Sequence, residues 1–349
     1  MQRRFLVVGD KFVKPELFIS AIERHMPGED LQFYTMETDW PIEPFRHGPE
    51  VSEYLGSVDV ICDMVRDVDA IVTQLAPITA AVLDCAEELR IIGCCRGGPV
   101  NVNIEAATQR GIPVIYAPGR NAIAVAEFTV GLILAEVRNI GRAHADMKKG
   151  IWRGDLYCYH AAGRELNGLV AGLIGFGSIG RLMVGPLGAF GMKVMVYDPF
   201  VPKDEIEAYG AEEADLEILL RSADVVSLHA RVTPQTRGMI GARELALMKP
   251  TAYLVNTARG PLVDYDALYE ALKAKRIAGA ALDTFAEEPV PESDRLLELD
   301  NVTLTPHIAG ASRETAERAA EMVAEDIGNF FAGRPMRNCY NRAALAKIS

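Results

Sequence analysis

The stretch that decides the fold is residues 169–180, Leu-Val-Ala-Gly-Leu-Ile-Gly-Phe-Gly-Ser-Ile-Gly. An apolar run typical of a buried strand leads directly into a Gly-x-Gly-x-x-Gly loop, and a helical pattern follows over residues 181–190. In such a loop the first glycine allows a tight turn. The second lets backbone N–H groups approach a pyrophosphate, and the third lets the helix pack closely on the strand. The stretch predicts a Rossmann unit whose dinucleotide-binding residues are Gly175, Gly177, Ser178, Ile179 and Gly180.

The strand that follows ends at an acidic residue. Asp198 comes directly after the apolar run at residues 193–197, at the spacing expected for the acid that binds the adenosine ribose. A carboxylate there accepts hydrogen bonds from the ribose 2′-hydroxyl of NAD and repels the 2′-phosphate of NADP. Asp198 therefore predicts NAD as the cofactor, the alternative being a surface aspartate in the turn before Pro199.

Strand and helix patterns alternate on both sides of this stretch, from residue 5 to 118 and from 169 to 305. Such alternation is typical of βαβ units, so we expect an α/β fold with two doubly wound parallel sheets. One long helix is expected from Asn121, a candidate cap, to about Lys149. A final helix from Ser312 to about Phe331 must pack on an earlier part of the chain. The proline-rich residues 40–49 are expected to form an irregular surface excursion of no assigned function.

Composition and charge limit the possible partners. The 349 residues suffice for about two domains at roughly 150 residues each, and the 49% apolar and 24% charged fractions are those of ordinary globular proteins. Lysine and arginine number 36 against 48 acidic residues, a net charge of −12, with no long block of like charge. Nucleic acid is therefore not expected as a partner, and an anionic substrate needs a locally basic pocket.

The cysteines and the N-terminus indicate the compartment. The six cysteines lack the CxxC spacing of zinc sites, and Cys94 and Cys95 lie in an apolar run, which favours buried structural thiols in a reducing compartment. The N-terminal apolar stretch has only five residues, too few for a signal peptide or a membrane span. We expect a cytoplasmic protein with no metal site and no membrane partner.

Polar groups follow three of the later strands. Arg259, Glu288 and His307 each lie shortly after an apolar run, where open α/β sheets bind their ligands. Arginine can clamp a carboxylate and polarise a neighbouring oxo group. Histidine suits proton transfer near neutral pH, and a carboxylate can orient the imidazole and stabilise its charged form. Alone, these residues could be a surface arginine, one of several acids in an acidic turn, and a histidine that happens to follow a proline. Together they predict hydride transfer at a carbonyl next to a carboxylate.

These motifs together resemble the D-isomer-specific 2-hydroxyacid dehydrogenases, and most closely the branch related to D-3-phosphoglycerate dehydrogenase. The resemblance is close from Val68 onward and looser before it. The residues that carry it lie at 105–108, 111–114, 117–121, 125–127, 175–180, 256–260, 263–264, 283–289 and 305–310.

The resemblance implies a role for several individual residues. Arg259 would clamp the substrate carboxylate, His307 would be the acid/base and Glu288 its partner, because the family's acid directly precedes a proline. Asp283 would bond the nicotinamide carboxamide, and the backbone of Thr257 would contact the cofactor. The implied substrate-binding residues are Arg96, Gly97, Gly98, Arg120, Asn121 and Arg259.

The resemblance also implies an architecture. Residues 1–118 plus 308–349 would form a flavodoxin-like substrate domain, and residues 119–307 an NAD-binding Rossmann domain, with the active-site cleft between them. The helix after Asn121 would serve as hinge and as the contact of a homodimer formed through the cofactor domain.

Three arginines depart from the family pattern. Arg96 precedes Gly97 and Gly98 where many members have Gly-x-Asp-Asn, Arg231 stands where proline is common, and Arg120 precedes the usual Asn121. Arginines in ligand loops suggest a second group on the substrate, such as a phosphate or the hydroxyls of a sugar acid. Each could instead be a solvated side chain, the favoured interpretation for Arg231.

The expected activity is an NAD-dependent interconversion of a D-2-hydroxy acid and its 2-oxo acid, with a small anionic 2-hydroxy or 2-oxo acid as the ligand. Two alternatives stay open. One is an NAD(H)-sensing binding protein, since the family also contains transcriptional corepressors that keep the Arg, Glu and His. The other is a dehydrogenase of another small oxyanion. The sequence does not identify the substrate.

Overall fold

The computed structural model describes residues 2–42 and 45–347, so part of the excursion at residues 40–49 lies outside the described residues. The chain divides into two compact units. Unit 1 comprises residues 1–120 and 311–349, and unit 2 comprises residues 121–310. Both are α/β units built on a parallel sheet, so the predicted fold class is confirmed.

Unit 1 is built on a five-stranded sheet in the order β2-β1-β3-β4-β5, in which all neighbouring strands are parallel. The strands are β1 (Arg3–Asp10), β2 (Leu31–Thr38), β3 (Ala70–Thr73), β4 (Ile91–Cys94) and β5 (Val114–Ile115). The α-helices are α1 (Pro15–His25), α2 (Val58–Val65), α3 (Ala80–Cys85), α4 (Ile104–Gln109) and α12 (Arg313–Phe331), which follows unit 2 in the sequence.

Unit 2 is built on a seven-stranded parallel sheet in the order β12-β11-β10-β9-β6-β7-β8. The strands are β6 (Val170–Ile174), β7 (Lys193–Tyr197), β8 (Glu212–Glu213), β9 (Val225–Leu228), β10 (Tyr253–Asn256), β11 (Gly279–Leu282) and β12 (Val302–Leu304). The helices are α5 (Ala122–Val137), α6 (Ile140–Lys148), α7 (Ser178–Ala189), α8 (Lys203–Ala208), α9 (Leu216–Ser222), α10 (Ala242–Leu247) and α11 (Tyr265–Lys273).

The final helix packs on unit 1, as its apolar face required. Ser312 caps α12, because its hydroxyl accepts a hydrogen bond from the backbone N–H of Thr315 at 3.0 Å. One face of α12 then buries a row of small and branched residues in the core of unit 1, together with Phe5, Phe18 and Ile22. The helix residues in this core are Ala316, Ala319, Ala320, Val323, Ala324 and Ile327.

The long helix expected from Asn121 to about Lys149 is wrong, because the structure has two helices there. Asn139 adopts a left-handed conformation with φ of 61°, which separates α5 from α6. Asparagine tolerates this conformation better than most residues, and its side-chain amide donates to the carbonyl of Ala161. Asn121 is the residue before α5, but its side chain makes no capping hydrogen bond.

Candidate active site

Three loops of unit 2 meet at the carboxyl edge of its sheet. They follow β10, β11 and β12, which are neighbours in the sheet, and they contain Arg259, Glu288 and His307 respectively. Parallel strands bring their carboxyl ends to the same edge, which explains how residues far apart in sequence converge. The three residues predicted to carry the chemistry therefore follow adjacent strands at one edge of one sheet.

His307 and Glu288 form a hydrogen-bonded pair. Nδ1 of His307 lies 2.6 Å from Oε2 of Glu288, while Oε1 of Glu288 accepts the backbone N–H of Phe285 at 2.9 Å. Burial raises the pKa of Glu288, but the His307 bond and charge, the Phe285 N–H and the charge of Arg259 outweigh it and hold the pKa below its usual range. Glu288 is therefore ionised, and it accepts the Nδ1 proton of His307. That leaves Nε2 as the ring atom that can exchange a proton with a ligand.

The backbone at His307 is strained and is held by a buried acid. His307 has a φ of 54°, in the left-handed region that few non-glycine residues adopt. Asp283, which is completely buried, accepts the N–H groups of Ile308 and Ala309 at 2.9 Å and the hydroxyl of Thr305 at 2.6 Å. These three bonds fix the loop that presents the imidazole. Asp283 thus acts on the histidine loop in this structure, and its contact with a nicotinamide stays a prediction.

Close packing brings the Arg259 loop to the Glu288 loop. A Cβ at Gly260 would overlap the backbone of Phe285, and it would lie 2.7 Å from the nitrogen of Ala286. Only glycine allows this approach, which accounts for the Arg-Gly pair in the motif. The guanidinium of Arg259 is exposed and donates to the carbonyl of Ala258 at 2.7 Å. Its remaining N–H groups point to a role as an anion clamp.

Sequence reasoning gave no role to two residues that order this loop. Asn256, fully buried at the end of β10, donates to the carbonyl of Arg259 and accepts the N–H of Ala258, both at 3.0 Å. Thr129 on α5 donates its hydroxyl proton to the carbonyl of Val125. In the 2.7 Å hydrogen bond between the hydroxyls of Thr129 and Thr257, Thr257 is therefore the donor. For Asn256 the sequence did offer a signal, because an asparagine directly after an apolar strand often hydrogen-bonds the turn that follows.

The glycine loop after β6 has the geometry of a dinucleotide site. Gly175 has a φ of 100°, and a Cβ there would lie 2.7 Å from the backbone nitrogen of Ala230. A Cβ at Gly177 would meet nothing within 4 Å in the described chain, so glycine at that position keeps the space in front of the loop open. Ser178, Ile179 and Gly180 form the first turn of α7, where backbone N–H groups are free to bind an anion. These residues fit a pyrophosphate.

Asp198 lies beside the glycine loop, and its contact with a ribose stays a prediction. Its Oδ2 accepts the N–H of Phe176 in the glycine loop at 2.7 Å, and its Oδ1 accepts the N–H of Phe200 at 3.0 Å. Each oxygen retains a further lone pair for a ribose hydroxyl. The same carboxylate thus holds the loop and presents negative charge beside it.

The predicted substrate-binding residues before Asn121 belong to unit 1. Gly97 and Gly98 lie in an irregular loop after β4, with open space beside Gly98 among the described residues. Arg96 in the same loop is engaged inside the chain, because its guanidinium bonds both the backbone carbonyl and the carboxylate of Glu53 and lies 5.6 Å from the ring of Phe45. This pairing leaves Arg96 a weaker candidate than its sequence position indicated.

Arg120 and Arg231, the other two arginines that depart from the family pattern, differ in burial. Arg120 is partly buried, and its guanidinium carbon lies 5.8 Å from the centre of the Phe12 ring. Arg231 is exposed in the loop after β9, and nothing in the structure gives it a role. Asn121 lies in unit 2 beside Gly310, where a Cβ would come within 2.7 Å of its side-chain nitrogen.

The described residues contain neither a metal-binding cluster nor a membrane-spanning helix. Over residues 2–42 and 45–347, no group of three or more His, Cys, Asp and Glu side chains is arranged to hold a metal ion. In the same ranges, no helix has both the length and the apolar character needed to cross a membrane.

Comparison with known proteins identifies the family. Residues 130–309 match the family model of the D-isomer specific 2-hydroxyacid dehydrogenase NAD binding domain. A D-3-phosphoglycerate dehydrogenase of Methanocaldococcus jannaschii is 43% identical over 303 residues, which are 84% of this chain and 57% of that protein. A glyoxylate reductase of Korarchaeum cryptofilum is 41% identical over 290 residues, 83% of this chain and 87% of that protein.

A solved structure shows the same fold with the cofactor present. The NAD-complexed D-isomer specific 2-hydroxyacid dehydrogenase of Lactobacillus delbrueckii ssp. bulgaricus is 25% identical, with a TM-score of 0.78 over 97% of this chain and all of that one. The chain belongs to the D-isomer specific 2-hydroxyacid dehydrogenase family, and unit 2 carries its NAD-binding domain. The chain spans little more than half the length of the phosphoglycerate dehydrogenases that it matches.

Proposed function

We propose that the protein is an NAD-dependent oxidoreductase that interconverts a D-2-hydroxy acid and its 2-oxo acid. The observation that carries the proposal is the 2.6 Å pair of His307 and Glu288 beside the exposed guanidinium of Arg259 at the carboxyl edge of an NAD-binding unit. The bound nicotinamide supplies or accepts the hydride. Every other requirement of the reaction falls to side chains of the chain.

The three residues divide the remaining work. Arg259 binds the substrate carboxylate and polarises the neighbouring oxo group through its planar fork of N–H donors. His307 gives a proton from Nε2 to the oxo oxygen during reduction and takes it back during oxidation. Glu288 holds Nδ1 and stabilises the charged imidazole, which keeps the ring oriented through both directions.

A turnover assay tests the proposal. The protein is mixed with NADH and a panel of 2-oxo acids that includes glyoxylate, pyruvate and hydroxypyruvate, and NADH oxidation is followed at 340 nm. We expect consumption of NADH with at least one member. A protein that binds NADH but oxidises it with none would be the dinucleotide sensor of the alternative hypothesis. Relatives named glyoxylate reductase and D-3-phosphoglycerate dehydrogenase support the enzyme.

Asp198 makes a prediction about the cofactor. We expect a higher kcat/KM with NADH than with NADPH, because the Asp198 carboxylate would face the 2′-phosphate of NADPH at close range. Asp198→Ser should weaken NADH about tenfold, the loss of a charged hydrogen bond, and relax the preference. Fluorescence titration of both cofactors measures this. A wild-type preference for NADPH would show that Asp198 is wrongly assigned.

We also propose a homodimer formed through unit 2. The segment from α6 to residue 159 exposes large apolar side chains, with Trp152, Tyr157 and Tyr159 each more than four-fifths exposed. Several large exposed apolar side chains in one short segment favour an interface. We infer that a second copy of this chain covers it.

The mass of the protein in solution tests the homodimer. Light scattering should give twice the chain mass for the wild type, and Trp152→Glu combined with Tyr157→Glu should give the mass of one chain. Phe200→Glu is the matched control, since this equally exposed aromatic lies outside the segment. A double variant that stays dimeric would place the interface elsewhere. A cytoplasmic location stays a prediction.

A further inference from the structure

The peptide group between Thr284 and Phe285 lies beside the pair of Glu288 and His307. Its N–H, which belongs to Phe285, donates to Oε1 of Glu288 at 2.9 Å. Its carbonyl, which belongs to Thr284, accepts the hydroxyl proton of Tyr265, the first residue of α11. The two ends of one peptide group therefore join the tyrosine hydroxyl to the glutamate carboxylate.

These contacts form a chain of hydrogen bonds that ends at the imidazole. Oε2 of Glu288 lies 2.6 Å from Nδ1 of His307, so the chain runs from Tyr265 through the peptide group and the carboxylate to the ring. Hydrogen bonds in series polarise one another, and a donor on the carbonyl of a peptide group makes the N–H of that group a stronger donor. The Tyr265 hydroxyl thus strengthens the bond that holds Oε1.

Tyr265 is placed and protonated for this contact. Burial raises the pKa of its phenol, opposed by a hydrogen bond with Asn256, and the charges of Glu288 and Asp294 raise the pKa further. The phenol therefore keeps its proton at neutral pH. Its ring packs near that of Phe285, with 6.4 Å between the ring centres. A retained proton and a packed ring make the hydroxyl a constant donor to the peptide carbonyl.

We propose that Tyr265 is a positioning residue, which holds the Glu288 carboxylate toward the imidazole through the peptide group of Thr284 and Phe285. The hydroxyl fixes the orientation in which the peptide N–H points at Oε1, and this leaves Oε2 for His307. Without the hydroxyl, the carbonyl of the buried Thr284 loses this donor and the peptide group is free to reorient. The inference rests on the proposed function, in which Glu288 orients the acid/base.

The direction of the effect on Glu288 follows from the groups that act on it. Burial raises the pKa of its carboxyl, while the bond and charge of His307, the N–H of Phe285 and the charge of Arg259 lower the pKa. Tyr265→Phe weakens the N–H contribution and leaves those of His307 and Arg259 in place. The pKa of Glu288 should therefore rise in this variant.

One amide signal tests the hydrogen-bond chain. Thr284 and Phe285 form the only Thr-Phe pair in the sequence. Full-length protein labelled with ¹³C at threonine carbonyls and ¹⁵N at phenylalanine therefore gives one correlated amide resonance by NMR. Its pH titration reports the ionisation of Glu288. In Tyr265→Phe we expect a midpoint about 0.5 pH unit higher than in the wild type, and an amide proton shifted upfield at neutral pH because its hydrogen bond is weaker.

Turnover tests whether the tyrosine acts through the glutamate. We expect Tyr265→Phe to lower kcat about tenfold with KM for the 2-oxo acid and for NADH unchanged, because the acid/base is misoriented while the ligand contacts remain. In a Glu288→Ala background the same substitution should lower kcat less than twofold, since the carboxylate that it positions is absent. Equal factors in both backgrounds would show that Tyr265 acts without Glu288, and the proposal would be overturned.

Tyr269→Phe is the matched control. It removes a hydroxyl from the same helix one turn further on, where the tyrosine contacts Lys273. It should change neither the amide signal nor kcat, and a change equal to that of Tyr265→Phe would point to a general loosening of α11 and refute the proposal.

The amide measurement needs neither cofactor nor turnover, so it separates this inference from the proposed function. If no 2-oxo acid is reduced, the proposed function fails, while a raised midpoint in Tyr265→Phe still supports the link from the hydroxyl to Glu288. An unchanged amide signal and midpoint in Tyr265→Phe would refute that link even in an active enzyme. Wild-type kcat in an active Tyr265→Phe protein would likewise refute the positioning role.

Discussion

Replacement of His307 by asparagine should lower kcat by 10²-fold or more while the affinity for NADH stays nearly unchanged. The imidazole is the group whose Nε2 can exchange a proton with the substrate oxygen, and loss of a general acid has about this effect. The residues proposed to bind NADH are the glycine loop and Asp198, and His307 makes no described hydrogen bond to them. Steady-state turnover and NADH fluorescence titration measure the two quantities.

The chain offers a matched control for this variant. His25 forms a similar pair with Glu321 in unit 1, with Nε2 2.8 Å from Oε1. His25→Asn removes an imidazole from a carboxylate in the same way but far from the NAD-binding loops in sequence, and it should leave kcat unchanged. Wild-type turnover in His307→Asn would contradict the mechanism.

Replacement of Arg259 by alanine should lower kcat and raise KM for the 2-oxo acid together. In the proposed mechanism the guanidinium binds the carboxylate in the ground state and polarises the oxo group in the transition state, so both parameters should depend on it. Two charged hydrogen bonds at about 1.5–3 kcal/mol each correspond to a loss of roughly 10²–10⁴ in kcat/KM. Steady-state kinetics at saturating NADH give both values.

Two further variants define what Arg259 contributes. Arg259→Lys retains a positive charge without the planar fork, so it should recover only part of kcat/KM. Arg276→Ala removes an exposed arginine from the same unit and should leave both parameters unchanged. An Arg259→Ala protein with a normal KM would show that another group binds the carboxylate.

The periodic parts of the fold were readable from sequence. The apolar run predicted at residues 193–197 is the strand β7, Lys193–Tyr197, because a β-branched run between polar turns determines where a buried parallel strand lies. The glycine loop was readable for a similar reason, since its residues are consecutive. The family and its NAD-binding domain are confirmed.

Pairings between distant residues could not be read in the same way. Glu53 neutralises Arg96 across 43 positions, and no local pattern connects the two. Asp283 accepts three hydrogen bonds from the loop after β12 that no local pattern indicated, and its contact with the cofactor stays a prediction. The break at Asn139 depends on one backbone angle that asparagine permits without requiring it.

The route of the chain through its two units sets an order for their formation during synthesis. Unit 2 is one continuous segment, residues 121–310, and it is complete before α12 leaves the ribosome. The core of unit 1 is incomplete until Ala316 through Ile327 are synthesised, because those residues of α12 pack on Phe5, Phe18 and Ile22 from the first part of the sequence. Residues 1–120 therefore keep apolar surface exposed while about 190 further residues are translated. Unit 1 is begun first and completed last. Until α12 is synthesised, it is the part of the protein most in need of a chaperone.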